Sequence, residues 1–419
     1  MLRDPAAPAL SDLTIKIASS LKAVDAAVWD ACANPAPLES KSEQADSVCE
    51  PNEYNPFVSH AFLSSLEDSR SAVARTGWKP AHVLVEDHAG ALIAACPAYL
   101  KSHSQGEYVF DHGWADAFAN AGGEYYPKLQ VSVPFTPATG RRLLVKPGAT
   151  APVARDALVA GLRAAREQLG ASSIHVTFLT KGEWDDLGAH NFLLRTHQQF
   201  HWTNAGYRTF DEFLAALASR KRKAINRERR DAVANGITIE RLTGADLTER
   251  VWDDFFRFYM DTGGRKWGRP YLTREFYSLV GVRMAKDIVL VMAKRAGRYI
   301  AGAINFVGSD ALYGRHWGCI EHHPFLHFEV CYYQAIDEAI ARGLRRVEAG
   351  AQGEHKLARG YLPVETYSAH DIAHPGLRRA VADYLARERR HVSAAIEEYG
   401  EYAPFRRDGG ATAQPVDED

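Results

Sequence analysis

The feature that most restricts the fold of this chain is an internal repeat. Residues 84–99, LVEDHAGALIAACPAY, align without a gap on residues 291–306, VMAKRAGRYIAGAINF. In each stretch a strand-like run meets Ala-Gly and a second apolar run, which is typical of a β-hairpin. Each hairpin is followed by a run that has the character of a further strand, at 108–114 and at 311–317. The repeat therefore predicts that one structural unit occurs twice.

Each copy of the repeat continues into an amphipathic helix and one more strand. In the second of these helices, within 327–350, apolar residues recur at helical spacing and Gly343 follows as a stop signal. Alignment of Gly343 with Gly170, the corresponding glycine of the first copy, places His175 opposite Glu348. This order of elements predicts two copies of one mixed α/β unit.

The composition is typical of a globular protein and excludes several classes of function. A length of 419 residues indicates two or three domains. Fifty basic and 52 acidic side chains leave a net charge of -2, so no overall charge attracts nucleic acid or anionic lipid. The sequence contains no P-loop, no GxGxxG and no GxSxG, which argues against kinases, dinucleotide enzymes and serine hydrolases.

Cysteine usage and the N-terminal sequence indicate the compartment. The five cysteines include no Cys-x-x-Cys pair, which favours a reducing environment over a disulfide framework. The N-terminus shows no secretory pattern. The longest apolar stretch, AGALIAACPAYL, is too short to span a bilayer. We therefore expect a cytoplasmic protein, with peripheral contact at the inner membrane as an open alternative.

The sequence predicts four segments. Residues 1–55 are expected to hold one helix, at 12–32, and a flexible linker rich in proline, alanine and serine. Residues 56–190 and 191–400 are the two α/β domains, and 401–419 form a polar, disordered tail.

Several longer passages resemble a known family. They are NPFVSHAFLSSLE (55–67), GGEYYPKLQVSVPFTPATGRRLL (122–144), HWTNAGYRTFDEFLAALASRKRKAINRERR (201–230), KWGRPYL (266–272) and LHFEVCYYQAIDEAIARGLRRVEAGAQGEHKLARGYLP (326–363). With the repeated order of elements, they make the chain similar to the FemAB-like N-acyltransferase family. The resemblance implies two tandem GNAT-like acyltransferase domains, with the acceptor on the side of the first and catalysis and the acyl donor in the second.

The resemblance also implies a reaction. Members of this type form an amide from an activated acyl donor and an amine, and one subgroup makes bacterial ceramides. The chain resembles that subgroup, which implies an N-acyltransferase of sphingolipid metabolism that transfers groups other than aminoacyl groups. The expected donor is a long-chain acyl-CoA, and the expected acceptor is a sphingoid base, sphinganine or 3-ketosphinganine. Two alternatives stay open: FemAB-type transfer from aminoacyl-tRNA to a peptidoglycan precursor, and a recognition module without catalysis.

The carrier of the acyl group is open as well. The GNAT pyrophosphate loop, Arg/Gln-x-x-Gly-x-Gly/Ala, is absent, so CoA, acyl carrier protein and tRNA are all compatible with the sequence. We expect acyl-CoA or an acyl carrier protein thioester as a co-substrate, no permanently bound cofactor, and no DNA partner. His323 and His327 form an i, i+4 pair, but Pro324 interrupts the segment between them. No cluster of acidic ligands accompanies the pair in the sequence, so no metal site is predicted.

Amide formation requires a base, because an amine with a pKa near 10.4 is mostly cationic at neutral pH. Glu348 is the last charged residue on the strand before a glycine-rich passage, and it is the first candidate. An ion pair with a neighbouring arginine is the competing interpretation. His316 is the second candidate, with a buried structural histidine as its alternative. Tyr313 and Glu329 complete the predicted catalytic set.

The glycine-rich passage, EAGAQGEHKLARGYLP (348–363), combines flexible backbone with five ionisable side chains. Its glycines allow backbone N–H groups to face a pyrophosphate, which its basic side chains neutralise. A solvated turn is the competing interpretation. The predicted donor-binding residues are Gly350, Gln352, Gly353, His355, Lys356, Arg359 and Gly360.

A second basic site lies on a predicted helix within 210–231. Arg220, Lys223, Arg227 and Arg230 share one face at i, i+3, i+7 and i+10. They are predicted to dock donor phosphate, an acidic carrier protein or lipid headgroups, whereas a charge run of this kind is otherwise a solvated face. The acceptor side is predicted to involve Tyr125, Tyr126, Lys128, Trp267 and Tyr332.

Overall fold

The computed structural model describes residues 13–36, 54–267, 270–350 and 353–406. The strands are β1 (Thr14–Ala18), β2 (Trp78–Pro80), β3 (His82–Glu86), β4 (Leu92–Cys96), β5 (Ala98–Lys101), β6 (Lys128–Val131), β7 (Leu144–Val145), β8 (Ser173–Leu179), β9 (Leu193–Thr203), β10 (Ile237–Leu242), β11 (Ile288–Arg295), β12 (Arg298–Val307), β13 (Ala311–Cys319), β14 (Arg346–Glu348) and β15 (Leu362–Ile372).

The helices are α1 (Ala26–Ala33), α2 (His60–Asp68), α3 (His112–Asn120), α4 (Ala151–Gln168), α5 (Lys181–Ala189), α6 (Phe210–Ala216), α7 (Ser219–Ala232), α8 (Glu249–Trp267), α9 (Arg274–Arg283), α10 (Leu326–Phe328), α11 (Gln334–Ala341) and α12 (Pro375–Glu401). A π-helical turn, Glu329–Tyr333, joins α10 to α11. None of the helices in the described ranges is both long enough and apolar enough to cross a membrane.

The strands form two sheets. The smaller sheet has the order β1-β3-β4-β7, and the larger one has the order β10-β11-β12-β13-β14-β9-β15-β8-β6-β5-β2. The smaller sheet is antiparallel throughout, whereas the larger sheet combines antiparallel pairs with two parallel pairs. Helices pack on the sheets, as α4 does on β3 and α12 on β9. The predicted mixed α/β class is therefore confirmed.

The duplication predicted by the repeat is visible in the parallel pairs of the larger sheet. In the first half β6 pairs in parallel with β8, and Gln130 lies opposite His175. In the second half β13 pairs in parallel with β14, and Tyr313 lies opposite Glu348. His175 and Glu348 thus occupy equivalent positions, as the alignment of the two stop glycines predicts. The predicted duplication of one mixed α/β unit is confirmed.

The two units exchange their last strands. β9 follows the first unit in the chain, yet it pairs with β14 of the second. β15 closes the second unit, yet it pairs with β8 of the first and, along most of its length, with β9. The predicted domain boundary between residues 190 and 191 therefore falls within one continuous sheet.

Helix α11 illustrates how local sequence positions the later site. Ala335, Ile336, Ala339 and Ile340 are buried against the sheet, which follows from their helical spacing. Gly343 adopts a φ of 68° after the last turn, a backbone conformation that glycine takes at little cost. The chain can therefore reverse into β14 and bring Glu348 back across the sheet.

Two sequence-based predictions in the first unit and the segment before it are wrong. The predicted helix at 12–32 is replaced by strand β1, a 3-10 turn and helix α1, because the alternation in TIKIA suits a strand that pairs with β3. The predicted strand at 108–114 is instead a loop leading into α3, with Tyr108 at a φ of 60°. The strand equivalent to β13 is β6, whose first residue is a buried lysine.

The prediction of one helix across 210–231 is also wrong. The chain breaks between α6 and α7, where Leu217 takes an extended conformation. Within α7, Ile225 is buried and Ala224 is exposed. Farther along, helix α8 continues through the two glycines at 263 and 264 and ends at Trp267.

The core crosses the boundary between the two units. Phe57, which precedes α2, packs its ring 5.3 Å from Phe306 and 5.0 Å from Tyr313, centroid to centroid. The same buried cluster contains Trp78 and Phe135 of the first unit and Phe255 and Tyr277 of the second. Burial of large apolar side chains at this boundary is the main force that holds the two units together.

Candidate functional site at the gap between two parallel strands

The site begins where β13 and β14 separate. Only residues Ala311 to Tyr313 of β13 pair with β14. Beyond that point β13 continues along β12, and a bulge between Ile304 and Asn305 leaves Arg315 without a partner residue in the register. On the other side, β14 ends at Glu348 and the chain turns at Gly350, whose φ is 81°. A gap therefore opens inside the sheet, directly beyond Tyr313 and Glu348.

Glu348 lies at the edge of this gap and is 3% exposed. Its Oε1 accepts a hydrogen bond from Arg346 Nε at 3.0 Å. Its Oε2 lies 3.9 Å from His201 Nε2 and accepts no hydrogen bond from the described residues. The competing ion-pair interpretation thus holds for one oxygen only, and the second is available to a ligand.

Three further buried polar atoms at the gap also have no hydrogen-bond partner among the described residues. They are Arg315 Nε, His316 Nδ1 and Asn305 Oδ1. Burying a donor or acceptor without a partner costs about 1–3 kcal/mol per group. A cluster of such atoms is therefore expected where a substrate completes the hydrogen bonds.

His316 is a poor base in this setting. Burial, assisted by the positive charge of Arg315, lowers the pKa of the imidazole to about 3. The ring packs edge-on against Tyr259 with centroids 5.1 Å apart. An imidazole with so low a pKa has little driving force to take a proton at neutral pH. The geometry thus favours Glu348 over His316 as the base.

The other two predicted catalytic residues differ in position. Tyr313 is buried beside Glu348 in the strand register. Glu329 lies in the π-helical turn, where Arg229 Nε donates to it at 3.1 Å and Gln334 Nε2 at 2.7 Å. These side chains hold the Glu329 carboxylate between helices. Glu329 therefore has a structural role there and does not lie at the gap.

Two adjoining cavities lie on the helix side of the gap. The inner one, of about 100 Å³, is lined by Asn305, Gly314, Arg315 and Tyr332, among others. The outer one, of about 380 Å³, contains His322 and His323. Trp317 and His327 line both cavities, and their rings meet edge-on at 5.2 Å. Among the described residues, no three His, Cys, Asp or Glu side chains are grouped to hold a metal ion.

Two more cavities lie on the opposite side, between the two units. A cavity of about 10 Å³ shares Arg315 and His316 with the inner cavity described above. It also shares Phe135 and Leu272 with a cavity of about 710 Å³, which we call the inter-unit cleft. The four cavities therefore form a series across the sheet, and its narrowest point lies beside Arg315 and His316.

The glycine-rich passage does not present its cations to solvent. Lys356 is 1% exposed, and its Nζ donates to the Gly350 carbonyl at 2.9 Å. Burial lowers the pKa of this lysine to about 8. Arg359 donates to both oxygens of Glu228 and stacks on Phe328. Both head groups are thus engaged within the protein, which differs from the predicted phosphate cradle.

The remaining residues of that passage have local roles in the structure. Gly353 and Gly360 flank the 3-10 turn Glu354–Arg359 with positive φ angles of 124° and 88°. His355 Nε2 lies 2.9 Å from the hydroxyl of Tyr332, so Tyr332 connects this turn to the inner cavity. The predicted residue Gln352 lies outside the described residues.

The predicted acceptor residues of the first unit are part of a buried network. Lys128 Nζ donates to Asp111 Oδ2 at 2.6 Å, and the Tyr125 hydroxyl donates to the same oxygen at 2.7 Å. The Tyr126 hydroxyl lies 2.7 Å from Ser104 Oγ. These contacts hold the first unit together and do not place the side chains at the gap. The side chain of the predicted acceptor residue Trp267 lies outside the described part of the structure.

The basic face of α7 is exposed as predicted. Arg220, Lys223, Arg227 and Arg230 are all exposed. Arg229, on another face, is held by Glu329 and Asp337. Because Glu228 of the same helix binds Arg359, α7 packs beside the glycine-rich passage, and its exposed cations flank the helix side of the gap.

Sequence reasoning missed two residues of the gap, Arg315 and Asn305. Asn305 is the only polar side chain in the run AGAINFV, and a polar residue inside an otherwise apolar strand is a usable signal. Arg315 carries no such signal, because its position depends on the bulge in β13.

Comparisons with known proteins give the family. No curated protein matches the chain. Among solved structures, FemX superposes with a TM-score of 0.49 at 12% identity, over 77% of this chain and 93% of that chain. L-PGS from Bacillus licheniformis has a TM-score of 0.46 at 11% identity, over 81% and 99%. A tandem GNAT protein from the clavulanic acid biosynthesis pathway has a TM-score of 0.40 at 12% identity, over 87% and 99%.

The FemAB-like family model, described as peptidoglycan biosynthesis and recognition, matches residues 20–407. This match extends through both units, the exchanged strands and the gap. The chain therefore belongs to the FemAB-like family.

Proposed function

We propose that the protein forms an amide by transferring an acyl group to an amine at the gap between β13 and β14. The observation that carries the proposal is the set of unpartnered buried atoms there: an acceptor on Glu348 and a donor on Arg315. A carboxylate oxygen suits the proton of an ammonium group, and a guanidinium N–H suits the oxyanion of a tetrahedral intermediate.

The proton and bond changes follow from these positions. Glu348 takes a proton from the ammonium group, and the neutral amine attacks the carbonyl carbon of the acyl donor. A C–N bond forms, and the developing oxyanion is stabilised by Arg315 Nε–H. When the intermediate collapses, the bond between the carbonyl carbon and the carrier's sulfur or oxygen breaks. The nitrogen, which is cationic after the attack, loses its second proton, and the leaving group takes up that proton.

The cavities suggest how the two substrates approach. The inner and outer cavities on the helix side suit the acyl donor, because they end at Arg315 and are flanked by the basic face of α7. The inter-unit cleft suits the acceptor. In this arrangement the substrates meet from opposite sides of the sheet, which keeps a charged amine and a carrier phosphate apart until reaction.

The substrate pair is the finer part of the proposal. Long-chain acyl-CoA with a sphingoid base is one pair, with acyl carrier protein as an alternative carrier. Aminoacyl-tRNA with a peptidoglycan precursor is the other, and family membership supports it comparably. A recognition module without catalysis is the remaining alternative, and it would use the same unpartnered atoms to bind a ligand without forming product.

The test offers purified protein acetyl-CoA, a long-chain acyl-CoA or charged tRNA, each with sphinganine, 3-ketosphinganine or a muramyl peptide. Mass spectrometry of the products identifies the pair. Each buried methylene contributes about 0.8 kcal/mol, so a lipid substrate should show steep dependence on chain length. Amide product that is lost in Glu348→Gln supports the proposal, and no amide from any pair contradicts it.

A further inference from the structure

The inter-unit cleft has a charge pattern that the proposed reaction does not explain. Its charged lining residues are Arg70, Arg75 and Arg274, and no Asp or Glu side chain is among its described lining residues. Arg274 is neutralised by Asp253 and Glu249. Arg70 and Arg75 are exposed, and neither guanidinium has a hydrogen bond or ion pair within the described part of the chain. The cleft therefore carries uncompensated positive charge at one side.

The remaining lining combines polar side chains, among them Ser71, Thr76 and Gln105, with a group of large apolar ones. Trp78, Phe135 and Phe256 line the cleft together with Met260 and Tyr271. Met260 is 42% exposed and Tyr271 38% exposed, which places both among the large exposed apolar side chains. Contiguous exposed apolar surface of this kind usually marks a binding site.

Two residues of this cleft have a left-handed backbone conformation. Arg70 has a φ of 59° and Phe135 also has a φ of 59°, a region that L-residues seldom adopt. The Phe135 ring stacks on Tyr271 of the other unit, with centroids 4.8 Å apart and planes 12° apart. Arg70 ends helix α2: its N–H donates to the Glu67 carbonyl at 2.9 Å, and the Ser71 N–H donates to the Leu66 carbonyl at 3.0 Å. This helix cap fixes the position of Arg70 at the edge of the cleft.

We infer that the inter-unit cleft binds an amphiphilic anion, in which a phosphate or carboxylate group meets Arg70 and Arg75 and an apolar segment covers Met260 and Tyr271. Bidentate guanidinium contacts suit such anionic groups. The anion site itself is argued from the lining of the cleft. Only the assignment of its ligand as the acceptor rests on the proposed function. It also narrows the acceptor, because a free sphingoid base carries a cationic head and no anion.

Binding is measured by calorimetry on the full chain, without acyl donor, at concentrations below micelle formation. The probes are dodecyl phosphate, dodecylammonium, a nucleoside diphosphate and inorganic phosphate. Dodecyl phosphate is expected to bind at least tenfold more tightly than dodecylammonium. Arg70→Ala and Arg75→Ala should each weaken it by about ten- to a hundredfold. Arg250→Ala is the matched control, since Arg250 is exposed, has no partner among the described residues and lies outside the cleft.

Arg70→Gly separates binding from folding. Glycine accepts a positive φ without strain, so this variant should keep or raise the melting temperature while it loses affinity for dodecyl phosphate. A variant that loses both would indicate a structural role and overturn the inference. So would equal affinity for dodecylammonium, or inorganic phosphate binding as tightly as dodecyl phosphate, because the apolar lining would then contribute nothing.

Two comparisons identify the source of the anion and keep the two proposals apart. Tighter binding of the nucleoside diphosphate, with the same dependence on Arg70 and Arg75, assigns the phosphate to a nucleotide-linked acceptor. Tighter binding of dodecyl phosphate assigns it to a lipid headgroup. Glu348→Gln should bind the probes unchanged, so binding without amide formation contradicts only the proposed reaction. Amide formation without anion preference contradicts only this inference.

Discussion

The two units place different chemistry at equivalent positions. In the first unit, the parallel pair β6–β8 is surrounded by charges of both signs: Lys128 lies 2.6 Å from Asp111, and Lys101 lies 3.4 Å from Glu107. In the second unit, the parallel pair β13–β14 ends at Glu348, whose second oxygen has no hydrogen bond within the described ranges. The first unit also has a carboxylate oxygen without a hydrogen bond in the described part of the chain, Asp111 Oδ1, but its carboxylates lie beside buried lysines, whereas Glu348 lies at a gap next to cavities.

The comparison shows what duplication allows. A buried ion pair adds rigidity at the cost of desolvation, and removing one partner leaves an uncompensated charge. The first unit can therefore serve as a fixed support, and its His175 is kept neutral because burial, with the positive charge of Lys128, lowers its pKa to about 3. The second unit is free to hold unpartnered groups for a substrate.

The largest expected effect comes from breaking the charge pair of the first unit. Lys128→Met leaves Asp111 buried without its cation, which should lower the free energy of unfolding by about 3–5 kcal/mol. Urea denaturation measures this loss. Lys79→Met, at an exposed lysine of β2, is the control and should change stability little. A loss below about 1 kcal/mol for Lys128→Met would contradict the contrast between the units.

The second prediction concerns the gap itself. Glu348→Gln keeps the shape of the side chain but removes the base, so amide formation should fall by about a hundred- to ten-thousandfold. Glu329→Gln is the matched control, because Glu329 is equally buried but engaged by Arg229 and Gln334. It should lower stability and leave the rate per folded molecule largely unchanged. The same loss of rate in both variants would argue against Glu348 as the base.

The third prediction compares one buried lysine in each unit. Burial lowers the pKa of Lys101 to about 7 and that of Lys356 to about 8, whereas an unfolded lysine titrates near 10.4. Between these values the unfolded chain binds more protons than the folded one, so stability should rise with pH. Urea midpoints should therefore increase from pH 7 to pH 10.

Methionine substitutions assign this pH dependence. Lys101→Met should remove the part of the slope that begins near pH 7, and Lys356→Met the part that begins near pH 8. An unchanged slope in both variants would show that other groups are responsible.

The smallest expected effect lies on the exposed face of α7. The first turn of this helix has no acidic residue and no side-chain cap, although the helix dipole favours negative charge there. Arg220→Glu should therefore raise the free energy of unfolding by about 0.3–1 kcal/mol, measured at low salt. A gain in stability together with weaker donor binding would indicate that the cation is kept for the donor. A gain in stability without any change in donor binding would indicate that this face is only a solvated surface.

Local patterns in the sequence determined a large part of this fold. The hairpin β11–β12, strand β13, helix α11 and the stop at Gly343 all follow from alternation, helical spacing and glycine placement. These patterns depend on residues that are close together in the chain, so they can be recognised without knowing which elements pack against each other. The position of Glu348 at the end of a strand was predictable for the same reason.

Tertiary structure alone decided which charges are buried and which strands pair. β6 begins with Lys128, which reads as polar in the sequence and is buried only because Asp111 lies beside it. The exchange of β9 and β15 joins segments far apart in the chain, and no local pattern encodes such pairing. Likewise, Lys356 and Arg359 point inward because a carbonyl and Glu228 meet them, whereas Arg70 and Arg75 stay without partners at a cleft that two units build together.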